Sequence, residues 1–223
     1  LGGGTGTGGI LALTEYIKEN MKDRLVWVVV TIPFSSEGIE RIQNAQMALP
    51  ELLDLADMTI VNFNDILKEK VGAYSIHQAF REMDKHLVDL INGLTKLQGL
   101  KPEPGLVNID FSNVERLTRE SGLGFVGTGS GLRFIDAFED ALAKNYCEAD
   151  LTGARGAVVY IEGTRSILSL REIEEIPRIL SEKYGIGTVY WGVRYNWRVY
   201  NPQVMLLVAG VKSPLVEQFL ETR

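Results

Sequence analysis

The sequence predicts an α/β fold on a largely parallel sheet, and three observations predict it. Apolar periodicity alternates between helical and extended segments along the chain. The early extended segments, Leu25 to Ile32 and Met58 to Phe63, are rich in Val and Ile and lack polar alternation, as strands covered on both faces do. The last two, Gly187 to Arg194 and Val204 to Val211, follow each other with no helix between them, which predicts a hairpin and hence a mixed sheet.

The elements fall in order. A helix from about Ile10 to Met21 leads to the first strand, a helix from Ile39 to Leu49 follows, and then the strand ending at Phe63. From Ser75 to about Leu97, the residues Ile76, Phe80, Met83, Leu87, Leu90, Ile91 and Leu94 form one stripe of a helix long enough to be a spine between two domains. Gly99 to Gly105 carries two prolines and two glycines and reads as a loop. The domain boundary is set there, giving residues 1–99 and 100–223. The second part continues as helix Phe111 to Glu120, strand Gly124 to Thr128, helix Phe134 to Asn145, strand Gly156 to Ile161 and helix Leu170 to Tyr184, before the final two strands.

Composition narrows the function classes. With 223 residues and 45% hydrophobic content, the chain can bury a substantial core. A net charge of -6 with both signs interspersed provides no basic stripe to neutralise a phosphate backbone, which argues against nucleic acid as a partner. The longest apolar runs fall far short of the roughly 20 residues of a membrane-spanning helix. A single cysteine, Cys147, rules out an internal disulfide, and with only His77 and His86 beside it there is no zinc-ligand spacing. The N-terminus lacks the basic and apolar segments of a signal peptide and reads as a cut end; a reduced cytoplasm fits.

Residues Gly2 to Gly9 read Gly-Gly-Gly-Thr-Gly-Thr-Gly-Gly and run into a helix. Such a segment turns backbone N–H groups towards one point, lets a ligand approach closely and adds the positive end of a helix, so Gly3, Gly4, Thr5, Gly6 and Thr7 are candidates for holding phosphate. A flexible linker is the plain alternative. Gly4, Gly6 and Gly9 also match the spacing of a dinucleotide-binding turn, but the next strand ends in Thr31, Ile32 and Pro33 without the acidic residue that would hold a ribose. No lysine follows the glycines, so a P-loop is excluded.

The glycine run resembles the signature loop of the tubulin/FtsZ family. Thr31-Ile32-Pro33-Phe34-Ser35-Ser36-Glu37-Gly38 with Arg41 is similar to the FtsZ sugar-binding loop, Asn62-Phe63-Asn64-Asp65 to its next loop, and Asn108-Ile109-Asp110-Phe111 to its catalytic loop. Gly124 to Gly131 and Leu151 to Gly156 resemble segments of the FtsZ second domain, so the likeness runs from Gly2 to about Val211. It is closer to FtsZ than to eukaryotic tubulin. The resemblance implies a Rossmann-like GTPase domain whose N-terminal part is absent, a long central helix over about 75–97, and an α+β second domain with a mixed sheet. It further implies GTP or GDP as ligand, with Mg2+ as a candidate ion, and a cytoplasmic homo-polymer of head-to-tail subunits serving cell division or shape. FtsZ itself or other division proteins are candidate partners.

The implied roles have chemical sense. Glu37 and Arg41, one helical turn apart, suit ribose hydroxyls and phosphate, or else pair with each other on the surface. Phe80 suits stacking on a base if the apolar stripe meets the cleft there, and is otherwise core. Asp84 can accept both the ring N–H and the exocyclic amine of guanine, a pair of donors adenine lacks; its plain alternative is an exposed helix charge. Asn64 suits a turn or a base contact. Asn108 and Asp110 are implied to reach the γ-phosphate held by the neighbouring subunit, Asp110 having a helix N-cap as its alternative role. FtsZ usually carries a second Asp where this chain has Asn113, so hydrolysis is expected to be slow. Two other readings stand beside a filament-forming GTPase: a non-hydrolysing guanine-nucleotide-binding regulator or scaffold of FtsZ, and, more distantly, a dinucleotide-dependent oxidoreductase.

Overall fold

Strand residues of alternating parity face two different helical layers, and this is what organises the protein. The computed structural model describes residues 1–70, 75–98, 107–164 and 170–222. The elements are α1 (Gly4–Asn20), β1 (Trp27–Ile32), α2 (Ile39–Leu55), β2 (Met58–Phe63), α3 (Asp65–Lys70), α4 (Ile76–Gln98), α5 (Phe111–Thr118), β3 (Gly122–Ser130), α6 (Phe134–Ala143), β4 (Gly156–Gly163), α7 (Leu170–Tyr184), β5 (Val189–Tyr195), β6 (Gln203–Ala209) and α8 (Pro214–Glu221). The strands form one sheet in the order β1-β2-β3-β6-β4-β5. On one face Val28, Val30, Ile32, Phe125, Val159, Ile161, Leu206 and Val208 pack with α2, α6 and α7. On the other, Met58, Ile60, Val126, Val158, Met205 and Leu207 pack with α4 and α5. Burying an aliphatic side chain of this kind contributes about 1.5–3 kcal/mol, so both layers are held mainly by apolar burial.

The mixed α/β sheet expected from sequence is present, but the hairpin is not. β6 lies between β3 and β4, antiparallel to both, while β5 pairs in parallel with β4 on its other side. Residues 196–202 span the width of β4, and β6 is buried from Val204 to Ala209, which demands neighbours on both edges. β2 meets β3 only through Met58–Ile60 against Gly122–Gly124, so the two halves of the chain join at a short junction. The loop expected at Gly99–Gly105, and with it the boundary between 1–99 and 100–223, lies outside the described residues.

Two helical boundaries differ from expectation, and two helices are additional. α1 begins at Gly4, six residues before Ile10, so most of the glycine run is helical despite a propensity cost of about 1 kcal/mol per glycine. Its inner face, Thr7 and Thr14, is buried, and Lys18 reaches the buried Asp57 at 3.1 Å, which holds the helix on the sheet. α2 continues through Pro50 to Leu55 because Leu49 and Leu52 are fully buried and outweigh the lost hydrogen bond. α3 and α8, short helices, were not expected.

Candidate functional site

The C-terminal end of β1 and β2 gathers the first group of candidates, as open parallel sheets do with their ligand sites. Gly2 has φ of +104°, a conformation that favours glycine, and a Cβ there would press on Pro33 and Arg41. Its N–H donates to Thr7 Oγ1 at 2.9 Å, and Asn44 Nδ2 donates to its carbonyl at 3.0 Å. The Leu1 amino group donates to the Thr31 carbonyl at 2.7 Å, so the glycine segment is tied to the end of β1. Thr7 therefore closes the turn by its own hydroxyl, whereas Thr5 and Gly6 are exposed on the first helical turn. Gly3 is the N-cap of α1 and supplies no side-chain acceptor, so the N–H groups of the first turn face outward from the positive end of a helix.

Glu37 and Arg41 pair with each other at 2.7 Å, and Glu37 Oε1 also accepts the Phe34 N–H at 2.8 Å. The surface-pair alternative is thus the one the structure contains, and both residues lie beside the glycine turn. Phe80 is 39% exposed and meets Phe34 edge-on, with ring centroids 5.4 Å apart, so the stripe of α4 does reach the open end of the sheet there. Asp84, one turn further on, is exposed. Asn64 is different. It is buried, its N–H donates to the Ile32 carbonyl at 3.1 Å, and its Oδ1 has no hydrogen-bond partner among the described residues. An unpaired buried carbonyl costs about 1–3 kcal/mol, so a donor from water or a ligand would be favourable there.

Sequence reading missed the residues that hold this end together. Ser35 N–H donates to Asp65 Oδ2 at 2.9 Å, and Lys68 pairs with Asp65 and sits 5.3 Å from the Phe34 ring. Asn44, one turn after Arg41, was readable from helical spacing; Lys68 depends on the unexpected α3. Behind them His86 is buried, bonds Asn62 Oδ1 through Nε2 at 3.0 Å, and leaves Nδ1 unpartnered. Burial, with Lys144 and Lys70 adding repulsion, lowers its pKa to about 4. Burial pushes the Cys147 thiol up to about 12, which makes it inert.

The second group lies at the other end of the sheet. α5 packs at the N-terminal ends of the strands: Phe111 lies 6.4 Å from Trp27, Thr118 Oγ1 accepts from Trp27 Nε1 at 3.1 Å, and Arg116 bonds the Tyr190 hydroxyl at 2.8 Å. Asp110 caps α5, its Oδ1 accepting the Ser112 N–H at 2.9 Å, and this bond lowers its pKa. Asn108 and Asp110 are exposed, and Asn113 Oδ1 accepts from Arg116 at 3.2 Å. β1 alone, from Trp27 to Ile32, separates the two ends by about 16 Å at roughly 3.3 Å per residue. One copy of the chain does not bring the two groups together.

Residues 1–72 match the GTPase domain of the tubulin/FtsZ family. The chain is 36% identical over 219 residues to cell division protein FtsZ 1 of Thermococcus kodakarensis, which covers 96% of this chain and 57% of that protein. It is 34% identical over 221 residues to cell division protein FtsZ of Methanothermobacter thermautotrophicus, covering 97% and 56%. The chain belongs to the tubulin/FtsZ family. A solved FtsZ structure from M. jannaschii, described as an empty dimer, superposes with a TM-score of 0.80 at 31% identity over 94% of this chain and 61% of that one. The chain therefore spans little more than half the length of these FtsZ relatives. Among the described residues no helix is long and apolar enough to cross a membrane.

Proposed function

We propose that this chain is part of a filament-forming GTPase of the FtsZ type, binding GTP or GDP at the C-terminal end of β1 and β2 and hydrolysing GTP between stacked subunits. The observation that carries this reading is the separation of its two candidate groups. Gly3, Gly4, Thr5, Gly6, Glu37, Arg41, Asn64, Phe80 and Asp84 stand at one end of the sheet, while Asp110 and Asn113 stand at the other, with Asn108 leading into them alongside the middle of β5. A single catalytic centre using both requires two copies, head to tail. The free N–H groups of α1 suit phosphate, Asn64 Oδ1 awaits a donor, and Asp84 suits guanine. The two domains divide near residue 99, the second carrying the catalytic segment.

Asn113 brings no negative charge, so Asp110 is the one carboxylate among the three candidates of this segment. Mg2+ is the ion expected to accompany the nucleotide, which binds such an ion through its phosphates with water completing the shell. The same amide favours a second reading, a guanine-nucleotide-binding regulator or scaffold of FtsZ that does not hydrolyse. Mixing subunits separates them. In the full-length protein, Asp84→Ala damages the pocket and Asp110→Ala damages the opposite end, so each alone turns over slowly and their mixture recovers phosphate release above the sum. No recovery, with both variants folded and polymerising, sinks the shared-site reading; no hydrolysis by the parent favours the scaffold.

A further inference from the structure

Beside Asn113 the structure holds a cation that the sequence reading did not single out. Arg116 lies one turn beyond Asn113, on the same side of α5. Its guanidinium donates to Asn113 Oδ1 at 3.2 Å and to the Tyr190 hydroxyl at 2.8 Å. Both acceptors are neutral. Arg119, the C-cap of the same helix, is paired with Glu115, as Arg41 is with Glu37 and Arg133 with Asp136. Among the described residues no carboxylate pairs with Arg116. Arg155 is held in a similar way, donating to the Arg119 carbonyl at 2.8 Å and to that of Arg116 at 3.2 Å. Together with Ser112, Glu115, Arg119 and Glu120 these two arginines line an open depression of about 390 Å³.

A guanidinium on a flexible side chain ordinarily loses much entropy when it binds an anion. Here two hydrogen bonds to neutral acceptors already hold it, with no carboxylate paired to it among the described residues. Asn113 is what makes this workable: an aspartate at the same place would form a salt bridge with Arg116 and neutralise it. Resting on the shared-site reading above, we propose that Arg116 is a catalytic residue acting across the subunit interface, its guanidinium, positioned by Asn113 and Tyr190, donating to the γ-phosphate of the neighbour's GTP. Water attacks the γ-phosphorus, the bond to the β–γ bridging oxygen breaks with its electron pair leaving on GDP, and the water's proton passes to the phosphate or solvent. Arg116 stays protonated throughout and stabilises the charge on the equatorial oxygens. The Asn113 amide and the unpaired arginine are then one device, which replaces a carboxylate with a cation.

The test uses the full-length protein with GTP, reading phosphate release at matched polymer mass. Arg116→Gln keeps a donor for Asn113 and Tyr190 but removes the charge, and turnover falls at least tenfold with GTP affinity and melting temperature unchanged. Arg116→Lys, a point charge without the fork, recovers part of it. Asn113→Asp pairs with Arg116 and slows turnover as well. Co-assembly supplies a readout that a structural role does not move: Asp84→Ala subunits, whose Arg116 is intact, restore turnover in the pockets of Arg116→Gln subunits. Normal turnover in Arg116→Gln, or faster turnover in Asn113→Asp, overturns the proposal. If Asp110→Ala also has normal turnover, the shared-site reading fails too; if Asp110→Ala is slow while Arg116→Gln is normal, only the arginine is wrong.

Discussion

The chain has two glycine-rich segments, and they are glycine for opposite reasons. In β3 and the turn after it, Gly127, Gly129 and Gly131 lie so close to α6 that a Cβ would run into its backbone at Ala137 or Ala141. In α1, by contrast, a Cβ at Gly3, Gly4, Gly6, Gly8 or Gly9 meets nothing within 4 Å. The fold accounts for the first set and leaves the second over, although four of those residues each weaken a helix by about 1 kcal/mol. A costly residue without a packing reason points to a ligand that must come close. The lesson extends to polar groups: a residue whose partners explain it is structural, and one left over, such as Asn64 with its unpaired Oδ1, is where function is to be sought.

The strongest way to break the comparison is at β3. Gly129→Ala sets a methyl against the α6 backbone, which cannot yield as a side chain does, and should cost about 3 kcal/mol or more. Denaturant unfolding measures it; a mild loss would mean that α6 is not held as tightly as described.

His86 sharpens it, because one of its nitrogens is explained and the other is not. Its folded pKa, about 4, lies below the ordinary value of 6.5, so protonation favours the unfolded chain. The neutral histidine's contribution is complete above pH 6.5 and is lost as pH falls from there towards 4, by up to about 3 kcal/mol at 1.36 kcal/mol per pH unit. His86→Gln, which keeps a donor for Asn62, should flatten that slope in unfolding curves at pH 7, 6 and 5. An equal slope in both proteins would assign the acid sensitivity elsewhere.

The smallest effect comes from the open glycines. Gly4→Ala should raise the stability of the folded chain by up to about 1 kcal/mol, since it meets no atom and favours the helix. In the full-length protein it should at the same time weaken GTP binding. A variant that is both more stable and binds equally well would return the run to the status of an accident of sequence.

Legibility followed the physics of each feature. β1 and β2 could be read because their apolar runs need no partner to be recognised, and Glu37 with Arg41 because they are four residues apart in sequence, although a 3-10 turn and Gly38 rather than one continuous helix join them. The start of α1 was hidden, since glycine propensity argues against the helix that tertiary packing of Thr7 and Thr14 sustains. The hairpin was misread because adjacency in sequence says nothing about which strand lies between. α8 was readable: Ser213 accepts the Val216 N–H at 3.0 Å and Pro214 follows it, a cap and first-turn proline in sequence. The Phe34–Phe80 contact, the orphan oxygen of Asn64 and the neutral acceptors of Arg116 depend on which side chains meet in space, and no periodicity carries that.

The position of β6 has a consequence for how the chain is made. β3 and β4 are synthesised well before Gln203–Ala209, yet they do not pair with each other and each needs that last strand to cover an edge. At about 5–20 residues per second, a growing chain carries these apolar edges, from Phe125 and Val159 among others, open for seconds after they leave the ribosome. A stalled or shortened product ending before Val204 would retain them permanently. The described second half thus keeps these edges open until β6 arrives, and a chain interrupted before that point is the form most prone to aggregate.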